Sequence, residues 1–299
     1  MTNMKVVVTG ASGMLGGALV REYARHPLDV AAVIGQASLS LTNVRCHSCD
    51  LNSPESIIEI LEQEHPDFVV HSAAITNHQY CEDHPKQARA VNAYSTARIA
   101  EYCKENGAYL IYVSSEAVYG ESENLHGETD RCHPVSVYAK TKLEGEMLAR
   151  ESGADVAILR TTIVGFSPKR DRSLVDWAIN EFDKGKEIMG FDDVIFSPVS
   201  VQDFARITVE FFKTRMQGVW NIGTSDPLSK YRFLKLLAKA CHYDQKKVIK
   251  GSVKGAGLTG RHCLQAALDI GKLTTRFPKQ VRTAEETIKA MCDYERITK

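Results

Sequence analysis

Near its amino terminus the chain reads Val6-Val7-Val8-Thr9-Gly10-Ala11-Ser12-Gly13-Met14-Leu15-Gly16, a β-branched run followed by three glycines at three-residue intervals. The valines predict a buried strand, and the apolar residues at helical spacing after Met14 predict a helix. A side chain at such a turn would block a pyrophosphate, whereas glycine lets backbone N–H groups and the positive helix end face it. The turn therefore predicts a dinucleotide site, with a bare tight turn as the alternative.

Strand-like and helix-like segments alternate along the first two thirds of the chain. This alternation is typical of stacked βαβ units around a parallel sheet, so we predict an α/β fold. Beyond about residue 165 the segments become shorter and the alternation ends, which indicates a second part of different construction. A chain of 299 residues is long enough for about two domains.

The overall charge limits the kinds of partner. The 37 Lys and Arg residues balance the 37 Asp and Glu residues, which argues against nucleic acid and against an anionic membrane surface. No apolar stretch approaches the 18 or so residues of a membrane helix. The first residues lack the apolar core and cleavage site of a secretion signal. We therefore expect a cytoplasmic protein.

The eight cysteines are scattered, a pattern that favours reduced thiols over a disulfide framework. Cys46 and Cys49 have CxxC spacing, but a zinc site needs a second ligand pair at suitable spacing, and none is evident. We predict packing roles for these residues and no metal site.

The second predicted strand, Val30–Ile34, bears on the kind of dinucleotide. In NAD enzymes an acidic residue at the end of this strand holds the ribose 2′-hydroxyl. Here no carboxylate follows before Asp50, so the charge that would repel a 2′-phosphate is missing. We therefore expect NADP in preference to NAD. No arginine stands at the strand end, which leaves Arg45 as a candidate for the phosphate contact.

A second motif lies further along the chain. Tyr138 and Lys142 are four residues apart and so share one face of a predicted helix over residues 138–151. A nearby ammonium favours the phenolate, so we expect Lys142 to lower the pKa of Tyr138. The segment Ile111–Glu116 ends a predicted strand with hydroxyl groups at its carboxyl end, where ligands bind in open α/β sheets. A solvated helix face is the alternative explanation of the spacing.

Together these motifs resemble the extended short-chain dehydrogenase/reductase family over about residues 4–165. The resemblance implies a Rossmann-type, doubly wound parallel sheet in residues 1–165. It also implies a smaller C-terminal α/β substrate-binding lid in residues 166–299, with some segments returning to the Rossmann core. The catalytic residues that it implies are Ser115, Tyr138 and Lys142. The cofactor-binding residues that it implies are Gly10, Ser12, Gly13, Met14, Leu15, Gly16, Asp50, Leu51, Ser72, Ala73, Ala74 and Asn92, together with Tyr138 and Lys142.

Within that family the chain is most similar to the dTDP-4-dehydrorhamnose reductase-like group. The matching segments are Ala73–Asn77 with Cys81-Glu82, Tyr138–Glu146, and Ala266–Asp269 with Lys272-Leu273. Two segments depart from the group's pattern. His78-Gln79 stands where the group usually has Val-Asp, and Ser114-Ser115-Glu116 stands where it usually has Ser-Thr-Asp. The departures concern the identity of the substrate more than the reaction.

The resemblance implies an oxidoreductase that reduces a keto sugar bound as its nucleotide diphosphate, with NADP or NAD as cofactor. The nicotinamide hydride goes to the carbonyl carbon and Tyr138 donates the proton to the oxygen. Ser115 hydrogen-bonds that oxygen, and Lys142 orients the ribose. The candidate substrate-binding residues are Thr76, Glu116, Thr162 and Arg261.

Two other functions are compatible with the same fold. A sugar-nucleotide epimerase or dehydratase reoxidises its nicotinamide within one cycle, but the Asp-Glu pair typical of dehydratases is incomplete after Ser115. A non-catalytic NADP-binding regulatory subunit, like that of methionine adenosyltransferase, resembles the same group. The predicted helices over residues 87–106 and 138–151 commonly pair across a dimer in extended members, which implies a homodimer.

Overall fold

The computed structural model describes residues 4–35, 44–122, 124–171, 173–253, 255 and 265–298. The chain forms two compact units. The first comprises Met1–Val118, Pro134–Arg160 and Ala205–Trp220, and the second comprises Tyr119–His133, Thr161–Phe204 and Asn221–Lys299. Residues 205–220, a segment after the predicted boundary at residue 165, lie in the first unit.

Helices and strands alternate through most of the described chain. The strands are β1 (Met4–Thr9), β2 (Leu28–Ile34), β3 (Arg45–Ser48), β4 (Phe68–His71), β5 (Tyr109–Val113), β6 (Val156–Val164), β7 (Ile188–Phe191), β8 (Ile195–Phe196), β9 (Pro198–Ser200), β10 (Gly218–Ile222), β11 (Leu228–Ser229), β12 (Val248–Gly251) and β13 (Gln265–Ala266). The helices are α1 (Met14–Tyr23), α2 (Ser56–Glu64), α3 (His78–Asp83), α4 (Pro85–Arg89), α5 (Ser95–Asn106), α6 (Val137–Glu151), α7 (Leu174–Asp183), α8 (Val201–Thr214), α9 (Lys230–Ala240), α10 (Gly271–Arg276) and α11 (Ala284–Thr298). A π-helical turn, Ala90–Tyr94, joins α4 to α5.

The first unit is built on a sheet with the strand order β10-β6-β5-β4-β1-β2-β3. β1 lies inside this sheet and pairs in parallel with β2 on one side and β4 on the other. The chain runs from β1 out to β3 and then returns to β4, so the direction of winding reverses between β1 and β4. Ligands of open α/β sheets bind at the carboxyl ends of the strands at such a point. The predicted Rossmann-type α/β fold is confirmed.

The core of this unit explains why the sequence of β1 contains an unbroken run of apolar residues. Val6, Val7 and Val8 are all fully buried, because a parallel sheet is covered by helices on both faces. Because the middle of the strand is buried on both faces, functional groups can reach the surface only at the strand ends.

The second unit has small sheets and its own core. One sheet has the order β11-β8-β13, the other pairs β12 with β7, and β9 pairs in parallel with the last residues of β6. Buried apolar side chains of α7, α9 and α11 pack together beside these strands. None of the helices in the described part of the chain is long and apolar enough to cross a membrane.

One prediction about the cysteines is wrong. Cys241 and Cys292 form a disulfide, whereas the scattered spacing favoured reduced thiols throughout. Cys241 directly follows α9 and Cys292 lies on α11, so packing of these two helices brings together residues 51 positions apart. Sequence spacing carries no signal of such a contact. Cys49 is a free thiol in contact with the hydroxyl of Ser56, in keeping with a packing role.

Candidate active site

The glycine turn between β1 and α1 is shaped by close backbone contacts. Gly10 has a φ of +70°, and a Cβ there would lie 2.8 Å from backbone atoms of Ala73. A Cβ on Gly16 would overlap the carbonyl group of Gly10, so α1 approaches the turn as closely as glycine allows. Gly13, the exposed N-cap of α1, provides no side-chain cap, which leaves the first N–H groups of the helix for an external acceptor. The same turn also contains three partly exposed residues, Ser12, Met14 and Leu15.

This turn fits the pyrophosphate of a dinucleotide. The space that side chains would fill is kept open by glycines, and the positive end of α1 faces it. The geometry therefore supports the prediction that residues 10–16 bind a cofactor.

The end of β4 supports the turn through a neutral histidine. Thr9 Oγ1 lies 2.7 Å from His71 Nδ1 and accepts the N–H of Ala73 at 3.2 Å, while Ser72 Oγ donates to the Thr9 carbonyl at 2.6 Å. Burial lowers the pKa of His71 to about 3, with the charge of Lys142 acting in the same direction. A neutral imidazole suits this position, since it contacts a hydroxyl group on either side.

Asn92 joins the β4 loop to α6. Its Oδ1 accepts the N–H of Ile75 at 2.8 Å, and its Nδ2 donates to the Ile75 carbonyl and to Thr141 Oγ1, each at 3.1 Å. Asn92 lies in the π-helical turn that interrupts the predicted helix over residues 87–106. A widened turn of this kind is frequent at functional sites. Close packing accompanies it, since a Cβ on Gly145 would lie 2.6 Å from the Asn92 carbonyl oxygen.

The three predicted catalytic residues come together in the first unit. Ser115 follows β5 at its carboxyl end, whereas Tyr138 and Lys142 occupy the first turns of α6, which Ser136 caps through the N–H of Ala139. The side chains of Tyr138 and Ser115 lie near each other, and the Ser115 hydroxyl lowers the pKa of the phenol. The Ser115 hydroxyl also donates to Glu116 Oε2 at 2.8 Å. A hydroxyl and a carboxylate are therefore in direct contact, and a phenol lies near both.

The pKa of Tyr138 runs against the sequence expectation. Burial raises it well above the ordinary value, and the charge of Glu116 adds to the rise, whereas the hydroxyl of Ser115 opposes it. The predicted lowering of this pKa is wrong, because desolvation of the phenolate by burial is the largest effect on it. Tyr138 is accordingly a neutral acid at neutral pH.

Lys142 is almost completely buried and lies on an aromatic face. Its Nζ is 4.0 Å from the ring centroid of Tyr112 on β5, a cation–π contact. Burial lowers the pKa of Lys142 to about 7, and the charge of Glu146 opposes the fall. Its charge therefore changes close to neutral pH.

Sequence reasoning missed one buried group beside these residues. Glu146 is fully buried and accepts hydrogen bonds from Arg160 on β6 and from Ser114. Only 3% of Arg160 is exposed, and its guanidinium faces Glu146. The only available signal was the position of Glu146 one helical turn after Lys142.

The other predicted residues are more dispersed. Asp50 is exposed, and its carboxylate accepts from Asn52 in a local turn, whereas Leu51 is buried in the core. Thr76 is exposed just before α3. Thr162 lies in the second unit, opposite Pro198 of β9. Ala74 is partly exposed after β4, and Arg261 lies outside the described residues.

The guanidinium of Arg45 is bound by two carboxylates of the protein. Its guanidinium binds Asp29 at 2.5 Å and Glu64 at 2.7 Å. It pairs with Ala31 in the β2–β3 ladder and reaches back toward the start of β2, away from the carboxyl ends of the strands. Arg45 is therefore a wrong candidate for a 2′-phosphate contact.

The sequence model of a family described as the RmlD substrate binding domain matches residues 4–297. Relatives include a probable low-salt glycan biosynthesis reductase of Haloferax volcanii, 25% identical over 96% of this chain and 97% of the relative. Methionine adenosyltransferase 2 subunit beta of Danio rerio is 26% identical over 90% of this chain and 84% of the relative. A dTDP-4-dehydrorhamnose reductase of Mycolicibacterium smegmatis is 32% identical over 54% of this chain and 46% of the relative.

Solved structures share the fold over nearly the whole chain. A dTDP-4-dehydrorhamnose reductase of Clostridium acetobutylicum has a TM-score of 0.82 at 22% identity, covering 98% of this chain and all of that one. The Bacillus anthracis protein of the same name, solved with NADP, has a TM-score of 0.79 at 21% identity, covering 97% and 98%. A UDP-glucose 4-epimerase of Thermotoga maritima, solved with UDP-glucose, has a TM-score of 0.82 at 23% identity, covering 99% of each chain.

Proposed function

The chain belongs to the RmlD substrate binding domain family, and we propose that it is an NAD(P)H-dependent reductase of a keto sugar carried on a nucleoside diphosphate. Relatives named as reductases, one of glycan biosynthesis and one of dTDP-4-dehydrorhamnose, support the reaction class. Relatives of the fold solved with NADP and with UDP-glucose support the two ligand classes.

The placement of Ser115, after β5, near a neutral Tyr138 at the start of α6 carries this proposal. A ketone reductase needs a protonated acid beside the carbonyl oxygen, and the phenol of Tyr138, whose pKa burial raises further above neutrality, is such an acid. The hydroxyl of Ser115, which lies near that phenol, is suited to hold the same oxygen. Because both groups lie in the unit that contains the glycine turn, one unit supplies the cofactor cradle and the acid.

The cofactor supplies the hydride when bound, and residues 10–16 would hold its pyrophosphate. Tyr138 donates its proton to the carbonyl oxygen as negative charge develops there. Ser115 stabilises the same charge by a hydrogen bond, for which its hydroxyl must turn from Glu116 toward the substrate. The charged form of Lys142 binds the ribose hydroxyl groups and favours loss of the phenolic proton in the transition state.

A single assay tests the reaction. We expect the protein to consume NADPH, followed as the loss of absorbance at 340 nm, with at least one member of a panel of 4-keto sugar nucleotides. The matching sugar nucleotides without a keto group are the control and should leave the absorbance unchanged. Conversion of substrate without net loss of NADPH would indicate an epimerase or dehydratase instead.

Cofactor choice gives a second prediction. We expect a lower KM for NADPH than for NADH, since no carboxylate directly follows β2. The variant Arg45→Ala should keep the same KM ratio, because Arg45 is bound to Asp29 and Glu64. A preference for NADH would contradict the first statement, and a ratio changed by Arg45→Ala would contradict the second. Steady-state rates with both cofactors measure each ratio.

The subunit beta relatives favour a second candidate function, a non-catalytic NADP-binding regulatory subunit. Failure of every keto sugar nucleotide in the assay, together with tight NADP binding and co-purification with a catalytic partner, would favour it. Homodimer formation and a cytoplasmic location stay predictions from the sequence.

A further inference from the structure

The first unit contains a buried ion pair, Glu146 with Arg160, near Ser115 and Lys142. Arg160 Nη2 donates to Glu146 Oε2 at 2.6 Å and Arg160 Nε donates to Glu146 Oε1 at 3.0 Å. The two side chains are 3% and 0% exposed. Removal of two charges from water is costly, and apolar residues of similar volume often stabilise a core equally well. Stability alone therefore gives no sufficient reason for this pair.

The pair fixes the end of the strand that carries Ser115. Ser114 Oγ donates to Glu146 Oε1 at 2.5 Å, and the Ser114 N–H donates to the Leu159 carbonyl at 2.8 Å. Ser114 is thus bound from α6 on one side and from β6 on the other. Because Ser115 is the next residue, these bonds restrict where its hydroxyl can lie.

The same carboxylate acts on Lys142, one helical turn earlier on α6. Two groups of other elements that interact with the ammonium are uncharged at neutral pH: the Tyr112 ring on β5 and the imidazole of His71 on β4. On its own helix the phenol of Tyr138 is also neutral. Glu146 is the negative charge that opposes the desolvation of Lys142.

We propose that Glu146 is a positioning residue for the reaction, whose carboxylate stabilises the charged form of Lys142 and holds the strand end that carries Ser115. This role rests on the proposed function, because it assumes that charged Lys142 binds the cofactor ribose. Without the carboxylate the pKa of Lys142 falls further below its present value of about 7. At neutral and higher pH less of the ammonium then remains to bind the cofactor.

The test compares NADP⁺ binding by the full chain and by Glu146→Gln across pH, using fluorescence or calorimetric titration. Loss of a nearby opposite charge shifts a pKa by about one unit or more, so the variant should bind roughly five- to tenfold more weakly near pH 7.5. Near pH 5.5 the two proteins should bind almost equally, because Lys142 is charged in both. The ratio of the two dissociation constants cancels the titration of the cofactor's own phosphate.

Glu144→Gln is the matched control. Glu144 lies two residues away on α6 and pairs with Arg89 on the surface, so this variant makes the same chemical change outside the site. Its affinity ratio to the unaltered protein should stay near one at every pH. A Glu146→Gln ratio that is constant with pH would overturn the proposal, since a merely structural role predicts no pH dependence.

A second variant covers the case in which Glu146→Gln does not fold. The double substitution Glu146→Gln with Arg160→Met removes both buried charges and leaves no unpaired one. It should show the same loss of affinity toward high pH, and a flat ratio would overturn the proposal. Because binding needs no turnover, these titrations remain decisive even if every keto sugar nucleotide fails as a substrate.

Discussion

Phenylalanine in place of Tyr138 is expected to lower kcat by about 10²- to 10⁴-fold, the range that general acid catalysis contributes. The phenyl ring keeps the packing of the side chain, including its contact with the His78 ring at 4.8 Å, but has no proton to donate. Because the hydroxyl is not part of the glycine turn, the Kd for NADPH should remain close to that of the unaltered protein. Steady-state kinetics and cofactor titration measure the two quantities.

Tyr80→Phe provides the control for this result. Tyr80 is an exposed tyrosine on α3 whose hydroxyl donates to Gln87. The variant therefore removes the same phenolic oxygen at a position away from Ser115. Its kcat should be nearly unchanged. If Tyr138→Phe kept more than a tenth of the activity, Tyr138 would not be the proton donor and the proposed mechanism would fail.

Alanine at Gly16 is expected to have the second large effect. Its Cβ would overlap the carbonyl group of Gly10 and approach Ala11 Cα to 2.8 Å, and these are backbone atoms that no rotamer change can move. Overpacking of this kind costs about 1–3 kcal/mol of unfolding free energy. The displaced turn should also bind NADPH much more weakly, because the first N–H groups of α1 lose their position. Denaturant unfolding and cofactor titration measure both effects.

Gly17→Ala separates the shape of the turn from helix propensity. Gly17 is the next residue of α1, and a Cβ there would make ordinary contacts at 3.4 Å or more. Alanine favours a helix interior over glycine by about 1 kcal/mol, so this variant should be as stable as the unaltered protein or more stable. If Gly16→Ala and Gly17→Ala had equal stability and equal affinity for NADPH, the proposal that the glycine turn binds the cofactor would be wrong.

Much of the site was predictable because its signals are local. The valines of β1 and the glycines at 10, 13 and 16 specify a strand, a tight turn and a helix within thirteen residues. The spacing of Tyr138 and Lys142 is a property of one helix, as is the position of Ser115 after one strand. Such patterns depend on backbone geometry over a few residues, and sequence alone reveals them.

Contacts between distant segments were not predictable. Nothing near Asn92 in the sequence indicates a π-helical turn, and this turn packs closely against α6. Arg45 was a candidate for the 2′-phosphate contact, but its guanidinium instead forms ion pairs with Asp29 and Glu64, which lie on other elements. The disulfide of Cys241 and Cys292 likewise results from the packing of two helices.

By itself, then, the sequence determined the α/β fold, the glycine turn and which side chains carry the proposed chemistry. Only the tertiary structure decided the charge of those side chains. The pKa of Tyr138 rises and that of Lys142 falls because both groups are removed from water, and Glu146 opposes the second change from within the core. Desolvation depends on everything that surrounds a group in space, and that information is spread over the whole chain.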